Sequence, residues 1–231
     1  RLLPQEDAVL YVDSDVVFFQ PVEDLWNYFG HLNDQQLAVV FSDVEDDTLT
    51  IYNNWTMPHY KRYGINAGVM LMNLTRMRNS GLDAILLSWM DKYRHKELDF
   101  HDQDIINTVF HRHPEKVFHG PCKWNFVHLV CLSKISCRGE TPALVHGTNV
   151  TFSDPYLVPA YRAIGKAMQQ YRLGTSLERG FIDALEENLR RTEGSLCADK
   201  IRGFVVHWRR LARQLDIERG WNTKEAATTP T

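Results

Sequence analysis

Two aspartates separated by one residue, Asp13 and Asp15, lie where the apolar run Ala8-Val9-Leu10-Tyr11-Val12 gives way to polar sequence. On extended backbone, residues i and i+2 project to the same side, so both carboxylates can face one cation. Two hard oxygen donors leave coordination positions for water and phosphate oxygens, which suits magnesium or manganese. A D-x-D pair arises about once by chance in a chain of this size, and the plain reading is an acidic turn. Its place at the end of a strand-like run, where open α/β sheets put their ligands, favours the cation. A second pair, Asp102-Gln103-Asp104, opens a helical pattern, where aspartate serves equally well as a cap or a dipole partner. His146-Gly147 closes a short apolar run. A lone histidine is more often structural than a ligand. Beside Asp13 and Asp15, however, His146 would complete the two-carboxylate, one-imidazole set that manganese accepts. Gly147 would let backbone approach a phosphate group closely. Asn66-Ala67-Gly68 sets a polar side chain and a glycine at a strand entrance, as a bulge or as a ligand contact.

The elements that must position these residues are legible in outline. Ala8–Val12 reads as a buried strand of a parallel sheet, with Val16–Phe19 extended beyond it and a short helix over Glu23–Phe29. Leu37–Phe41 is a second buried strand and Ala67–Met72 a third. Between them Val44–Tyr63 is polar, aromatic-rich and unpatterned, a long surface loop of the kind that carries function. Thr75–Tyr93 is helical, and Asp102 caps a helix with Ile105, Ile106, Val109 and Phe110 on one stripe. Ala143–Val145 is a short strand. Helices follow over about 158–171, 177–192 and 199–217, the second opened by the capping box Thr175-x-x-Glu178. Strands alternating with helices, then helices alone, indicate an α/β sandwich with a helical C-terminal extension. The expected division is a core over 1–157, the extension over 158–217 and a disordered tail over 218–231.

The 231 residues are 44% hydrophobic and 24% charged, with a net charge of -3. That balance is ordinary for a globular chain and argues against a nucleic-acid surface. Arg209, Arg210 and Arg213 alternate with Trp208, Leu211 and Leu215, the pattern of a solvated face on an amphipathic helix. No apolar run approaches the roughly 18 residues that span a bilayer. The four cysteines, Cys122, Cys131, Cys137 and Cys197, fit no paired zinc pattern. If oxidised, Cys131 pairs with Cys137 and Cys122 with Cys197; Cys122 with Cys137 is nearly as plausible. Sequons stand at Asn54, Asn73 and Asn149, where about one would arise by chance. Cysteines and sequons together lean towards a secretory compartment.

Taken in order, Tyr11-Val12-Asp13-Ser14-Asp15-Val16-Val17-Phe18, Ile65-Asn66-Ala67-Gly68-Val69-Met70-Leu71-Met72-Asn73-Leu74, Asp102-Gln103-Asp104-x-x-Asn107 and His146-Gly147 resemble glycosyltransferase family 8. Within it the chain is most similar to the glucoside xylosyltransferases, through Leu2-Leu3-Pro4-Gln5-Glu6-Asp7, Pro121-Cys122-Lys123-Trp124-Asn125-Phe126 and the region of Cys197. The similarity runs over about residues 1–205. It implies a GT-A type nucleotide-sugar-binding sandwich, a retaining mechanism and a UDP-sugar donor. It also implies Mn2+ or Mg2+ held by Asp13, Asp15 and His146. The donor would contact Asp13, Ser14, Asp15, Asn66, Ala67, Gly68 and Gly147. Asn66 and Asp102 would hold its sugar, and Gln103 would lie near the anomeric carbon. The implied acceptor is glucose O-linked to EGF-like repeats of Notch-type proteins, extended with xylose in α1,3 linkage. The implied place is the Golgi or ER lumen, behind a type II membrane anchor that this chain does not carry. Two departures stand out: Thr148, Asn149 and Val150 follow the His-Gly where relatives usually carry a basic residue, and His101 replaces a glycine. The family's first strand–helix units, which hold the uracil, are expected upstream of Arg1.

Expelling UDP with retained configuration leaves two routes. One is same-face attack, in which the departing phosphate oxygen takes the acceptor proton and Gln103 stabilises the oxocarbenium-like carbon. The other, less favoured, makes Asp104 a transient nucleophile. The alternative functions are another UDP-sugar transferase of the family, such as a xyloside xylosyltransferase or a glucosyltransferase, or a non-catalytic lectin-like domain.

Overall fold

The computed structural model describes residues 3–95, 98–154, 156–195 and 197–221. It divides into two compact units, one running to His146 and one from Gly147 on. In the first, β3 (Ala38–Phe41) is wholly buried because every residue is apolar and both its faces are covered. Ala38 and Val40 point into one cluster, Val39 and Phe41 into another, as the two-residue strand period requires. β4 (Asn66–Asn73) alternates in the same way, Met70 to the first cluster, Val69 and Leu71 to the second. The first cluster is closed by α2 (Leu74–Asn79), α3 (Leu82–Tyr93) and α4 (Asp102–Arg112), through Met77, Leu82, Val109 and Phe110. The second is closed by Leu25 of α1 (Val22–Trp26), by Trp124 and by Leu144. The unit is therefore α/β, with its sheet between two apolar layers.

The sheet order is β1-β4-β3-β5, where β1 is Ala8–Val12 and β5 is Val117–His119. β1 is not the buried parallel strand expected. It runs antiparallel to β4 at the sheet edge, only part-buried, with Tyr11 turned to solvent. An unbroken apolar run cannot tell an edge strand, half-covered on each side, from an interior one. The parallel pair is β3 with β5, a strand hidden in sequence by its polar surroundings. β2 (Val16–Phe18) leaves the main sheet and pairs antiparallel with β6 (Leu144–His146). The helix expected over Thr75–Tyr93 is two helices, broken where Gly81 adopts a φ of 71°. The Val44–Tyr63 segment is less superficial than its composition suggests. Tyr52 and Tyr60 are buried, and Asp46 anchors it by accepting from the Ser133 hydroxyl at 2.6 Å. A short helix, α5 (His128–Leu132), precedes that serine. Cys122 is bonded to Cys137, which overturns the Cys131–Cys137 and Cys122–Cys197 pairing; among the described residues no cysteine is free.

The second unit is helical: α6 (Pro159–Gln170), a π-helical turn over Glu178–Ile182 running into α7 (Asp183–Arg190), and α8 (Ala198–Glu218). Tyr161, Ile164, Leu185, Leu189, Ile201 and Trp208 form its interior. The Thr175–Glu178 capping box does not form. Asp216 caps that helix from α8 instead, accepting from the amides of Leu177 and Glu178 at 2.8 and 3.0 Å and from the Ser176 hydroxyl at 2.6 Å. Glu178 is thereby free to pair with Arg209 and Arg213, so two of the three arginines have an acidic partner. The tail expected from 218 lies, from 222 on, outside the described residues.

Candidate active site

Asp13-Ser14-Asp15 is the turn that carries the chain from β1 to β2. The Asp13 amide donates to the Gly68 carbonyl at 2.9 Å, which extends the β1–β4 ladder by one step. The β2–β6 register sets His146 opposite Val16, one residue beyond Asp15. Pairing in two sheets therefore brings together residues more than a hundred apart in sequence. His146 Nε2 lies 3.6 Å from Asp13 Oδ2 and 3.5 Å from Asp15 Oδ1. One ligand atom from each of the three lies within 4.8 Å of the others. His146 is 2% exposed, whereas both aspartates are part-exposed at the mouth. Tyr11 donates to Asp13 Oδ1 at 2.9 Å, and that bond pushes its phenol up to about 12. Gly68 forms the floor. A Cβ there would come 2.3 Å from His146 Cε1 and 2.6 Å from Asp13 Oδ2, so any side chain would displace the cluster.

Behind this floor runs a polar network. Asn66 is buried; its Nδ2 donates to Asp43 Oδ1 at 2.7 Å and its Oδ1 accepts from the Gly68 amide at 3.0 Å. Gln103, in the first turn of α4, accepts from the Ala67 amide at 3.0 Å and donates to the Tyr52 hydroxyl at 3.0 Å. Its Nε2 also lies 3.4 Å from Asp43 Oδ2. Burial raises the Asp43 carboxyl, and the amides of Asn66 and Gln103 work against that rise. Asn107, one turn along α4, ties the Tyr60 and Ile65 amides, the Ile65 carbonyl and the Tyr52 hydroxyl. The network fixes Gln103 at both ends of its amide.

The other residues singled out by sequence are placed differently. Asp102 is exposed at the helix start, where it accepts from the Gln103 amide at 3.1 Å and lies close enough to Tyr11 to raise its phenol. It is the first helical residue rather than the cap. His101 holds the cap position at φ 53°, ψ -114°, a conformation that suits glycine. Asp104 is buried, raised by desolvation, and accepts from the Phe100 amide at 2.9 Å and from the Trp55 indole. Ser14 is exposed. Gly147 opens the second unit, where a Cβ would meet the Phe152 ring at 2.5 Å. Sequence reasoning assigned no role to Tyr11, Asp43 or Tyr52. Only Asp43 left a signal: it ends a buried strand, as Asp13 ends its own.

With the geometry in place, the similarity of the chain to known proteins can be weighed. Residues 1–148 match the family described as Glycosyl transferase family 8. The chain belongs to that family. It is 35% identical over 230 residues to "Glucoside xylosyltransferase 1" of Danio rerio, covering 93% of this chain and 56% of that protein. The counterpart from Mus musculus is 32% identical over 219 residues, covering 88% and 54%. The chain thus spans about half the length of the curated relatives it matches. Among solved structures, mouse xyloside xylosyltransferase 1 in its apo form is similar at 24% identity and a TM-score of 0.47, covering 64% of this chain and 59% of that one. As a family 8 member the chain has the α/β, GT-A type architecture.

Proposed function

We propose that this chain carries the cation and donor site of a retaining transferase that moves xylose from UDP-xylose, in α1,3 linkage, onto glucose O-linked to EGF-like repeats of Notch-type proteins. The convergence of Asp13, Asp15 and His146 at the ends of β1, β2 and β6 carries the reading. The naming of relatives at 32–35% identity as glucoside xylosyltransferases supports the donor and acceptor. Such an enzyme would work in the Golgi or ER lumen, its full-length form held by a type II anchor.

The donor set fits a divalent cation of the manganese or magnesium kind: two carboxylate oxygens and one imidazole nitrogen, with open positions towards solvent. Bound there, the ion would neutralise charge on the leaving diphosphate. The rest falls to the chain. Asn66 and Asp102 hold the donor sugar. Gln103, its amide locked between Ala67 and Tyr52, presents the carbonyl lone pair that remains to the positive charge developing on the anomeric carbon. The departing phosphate oxygen accepts the acceptor's hydroxyl proton on the face it leaves, so configuration is retained. Asp104 is buried against Phe100 and Trp55, which argues against the transient-nucleophile route. The protein, incubated with a panel of UDP-sugars and an O-glucosylated EGF repeat, should yield a pentose adduct with UDP-xylose alone by mass spectrometry. Transfer of a hexose, or none with any donor, would overturn the assignment.

A further inference from the structure

Asn125 follows Trp124, which packs in the second apolar cluster, and its own side chain reaches the site. It is wholly buried. Its Nδ2 donates to the Ser42 carbonyl at 3.1 Å and its Oδ1 lies 2.9 Å from His146 Nδ1. A carbonyl oxygen can only accept, so the amide nitrogen must face Ser42 and the amide oxygen must face the histidine. That oxygen carries no hydrogen, so Nδ1 carries the proton. A neutral imidazole has one N–H, and Nε2, the nitrogen turned to Asp13 and Asp15, is left with its lone pair. The aspartates would favour the opposite arrangement, because two carboxylates attract an N–H. Left to them, Nε2 would bear the proton and could not bind a cation.

We propose that Asn125 is a positioning residue that selects the cation-binding tautomer of His146; this rests on the reading of Asp13, Asp15 and His146 as the cation site. The backbone holds it in register. Phe126 donates to the Leu144 carbonyl at 3.0 Å and accepts from the His146 amide at 3.2 Å, stitching this segment to β6 beside the histidine. Its other partner, Ser42, precedes Asp43, so the same amide links the histidine to the strand end that holds Asn66 and Gln103. Partners of this kind on the far nitrogen of a metal-binding histidine orient the ring, and their loss weakens the metal about 10–100-fold.

The test uses the full chain, metal-free and labelled with 15N-histidine, with the His146 signals assigned by their loss in His146→Gln. At alkaline pH, where an imidazole is neutral, the unsubstituted protein should show the Nδ1–H form. Asn125→Leu should move it to Nε2–H and weaken Mn2+ binding about 10–100-fold by calorimetry. Asn125→Asp, which keeps an acceptor, should retain the Nδ1–H form and bind within a few-fold of the parent. Nε2–H in the unsubstituted protein overturns the proposal without needing any variant to fold. So does a folded Asn125→Leu protein with unchanged Mn2+ affinity. If the unsubstituted protein shows Nδ1–H but binds no Mn2+, the cation reading itself falls and takes this role with it.

Discussion

Asp13 and Asp15 owe their pairing to the turn between β1 and β2, but their proximity to His146 depends on a residue with no side chain. Gly68 sits under the cluster because nothing larger leaves room for both the imidazole and the Asp13 carboxylate. Gly68→Ala should therefore cost about 1–3 kcal/mol as an overpacked site, read as a lower melting temperature. Mn2+ affinity should fall more than stability does. An alanine variant with parental Mn2+ binding would show that the cluster can move aside. Asp13→Asn keeps the shape and removes the charge. It should leave the fold intact by circular dichroism and reduce the proposed sugar transfer at least ~100-fold, the scale of losing one electrostatic stabiliser. His101 carries backbone strain at the head of α4, at a φ of 53°. Replacing it with glycine should raise stability by about 1 kcal/mol, the relief of an unfavourable φ/ψ less the added chain entropy of glycine. A drop in melting temperature would mean that the His101 side chain contributes more than its backbone costs.

At the scale of elements, the helical unit is held by a cap and an ion cluster that come from α8. Glu178, 11% exposed in its side chain, pairs with Arg209 at 3.3 Å and with Arg213 at 2.6 Å. The arginines, Arg213 foremost, hold its carboxyl below the ordinary 4.5. A depressed folded-state value means that the stabilisation is complete above about 4.5 and is lost as pH falls through the lower value. Glu178→Gln should cost about 1–2 kcal/mol at pH 7, discounted for the exposure of Arg213. It should also flatten the decline in denaturation midpoint between pH 5 and 3 relative to the parent. Parallel pH profiles for the two proteins would remove Glu178 from the account. The same cap shows why the capping box was misread. Thr175 and Glu178 have the right spacing, but Asp216, 38 residues beyond Glu178, meets the orphan amides first.

For the molecule as a whole, the family is settled and the setting is proposed. No helix among the described residues is long and apolar enough to cross a membrane. If the protein matures in a secretory compartment, its three sequons should not be used alike. The Asn73 side chain caps α2 by accepting from the Arg76 amide at 2.9 Å, and the Thr75 hydroxyl is held between Asp7 and Arg78. Thr151, in the third sequon, is wholly buried. Asn54 and Thr56 are exposed in the Val44–Tyr63 segment, and glycan addition needs an exposed acceptor. Peptide mapping after expression in a secretory host should find Asn54 occupied and Asn73 bare. High occupancy at Asn73 would contradict its assignment as a helix cap.

The sequence alone determined the strands at β3 and β4, the helix at α4 and the candidates Asp13, Asp15, Asn66, Gln103 and His146. Apolar periodicity and short-range spacing are local properties that any segment carries with it. The tertiary structure decided everything that needs two distant segments to meet. It made β1 an antiparallel edge strand, because an apolar run does not name its neighbour. It joined Cys122 to Cys137, because spacing alone allows several pairings. It also brought Asp43 and Asn125 to the site. A buried polar residue next to an apolar stretch looks like any other until the fold supplies the group that it must satisfy.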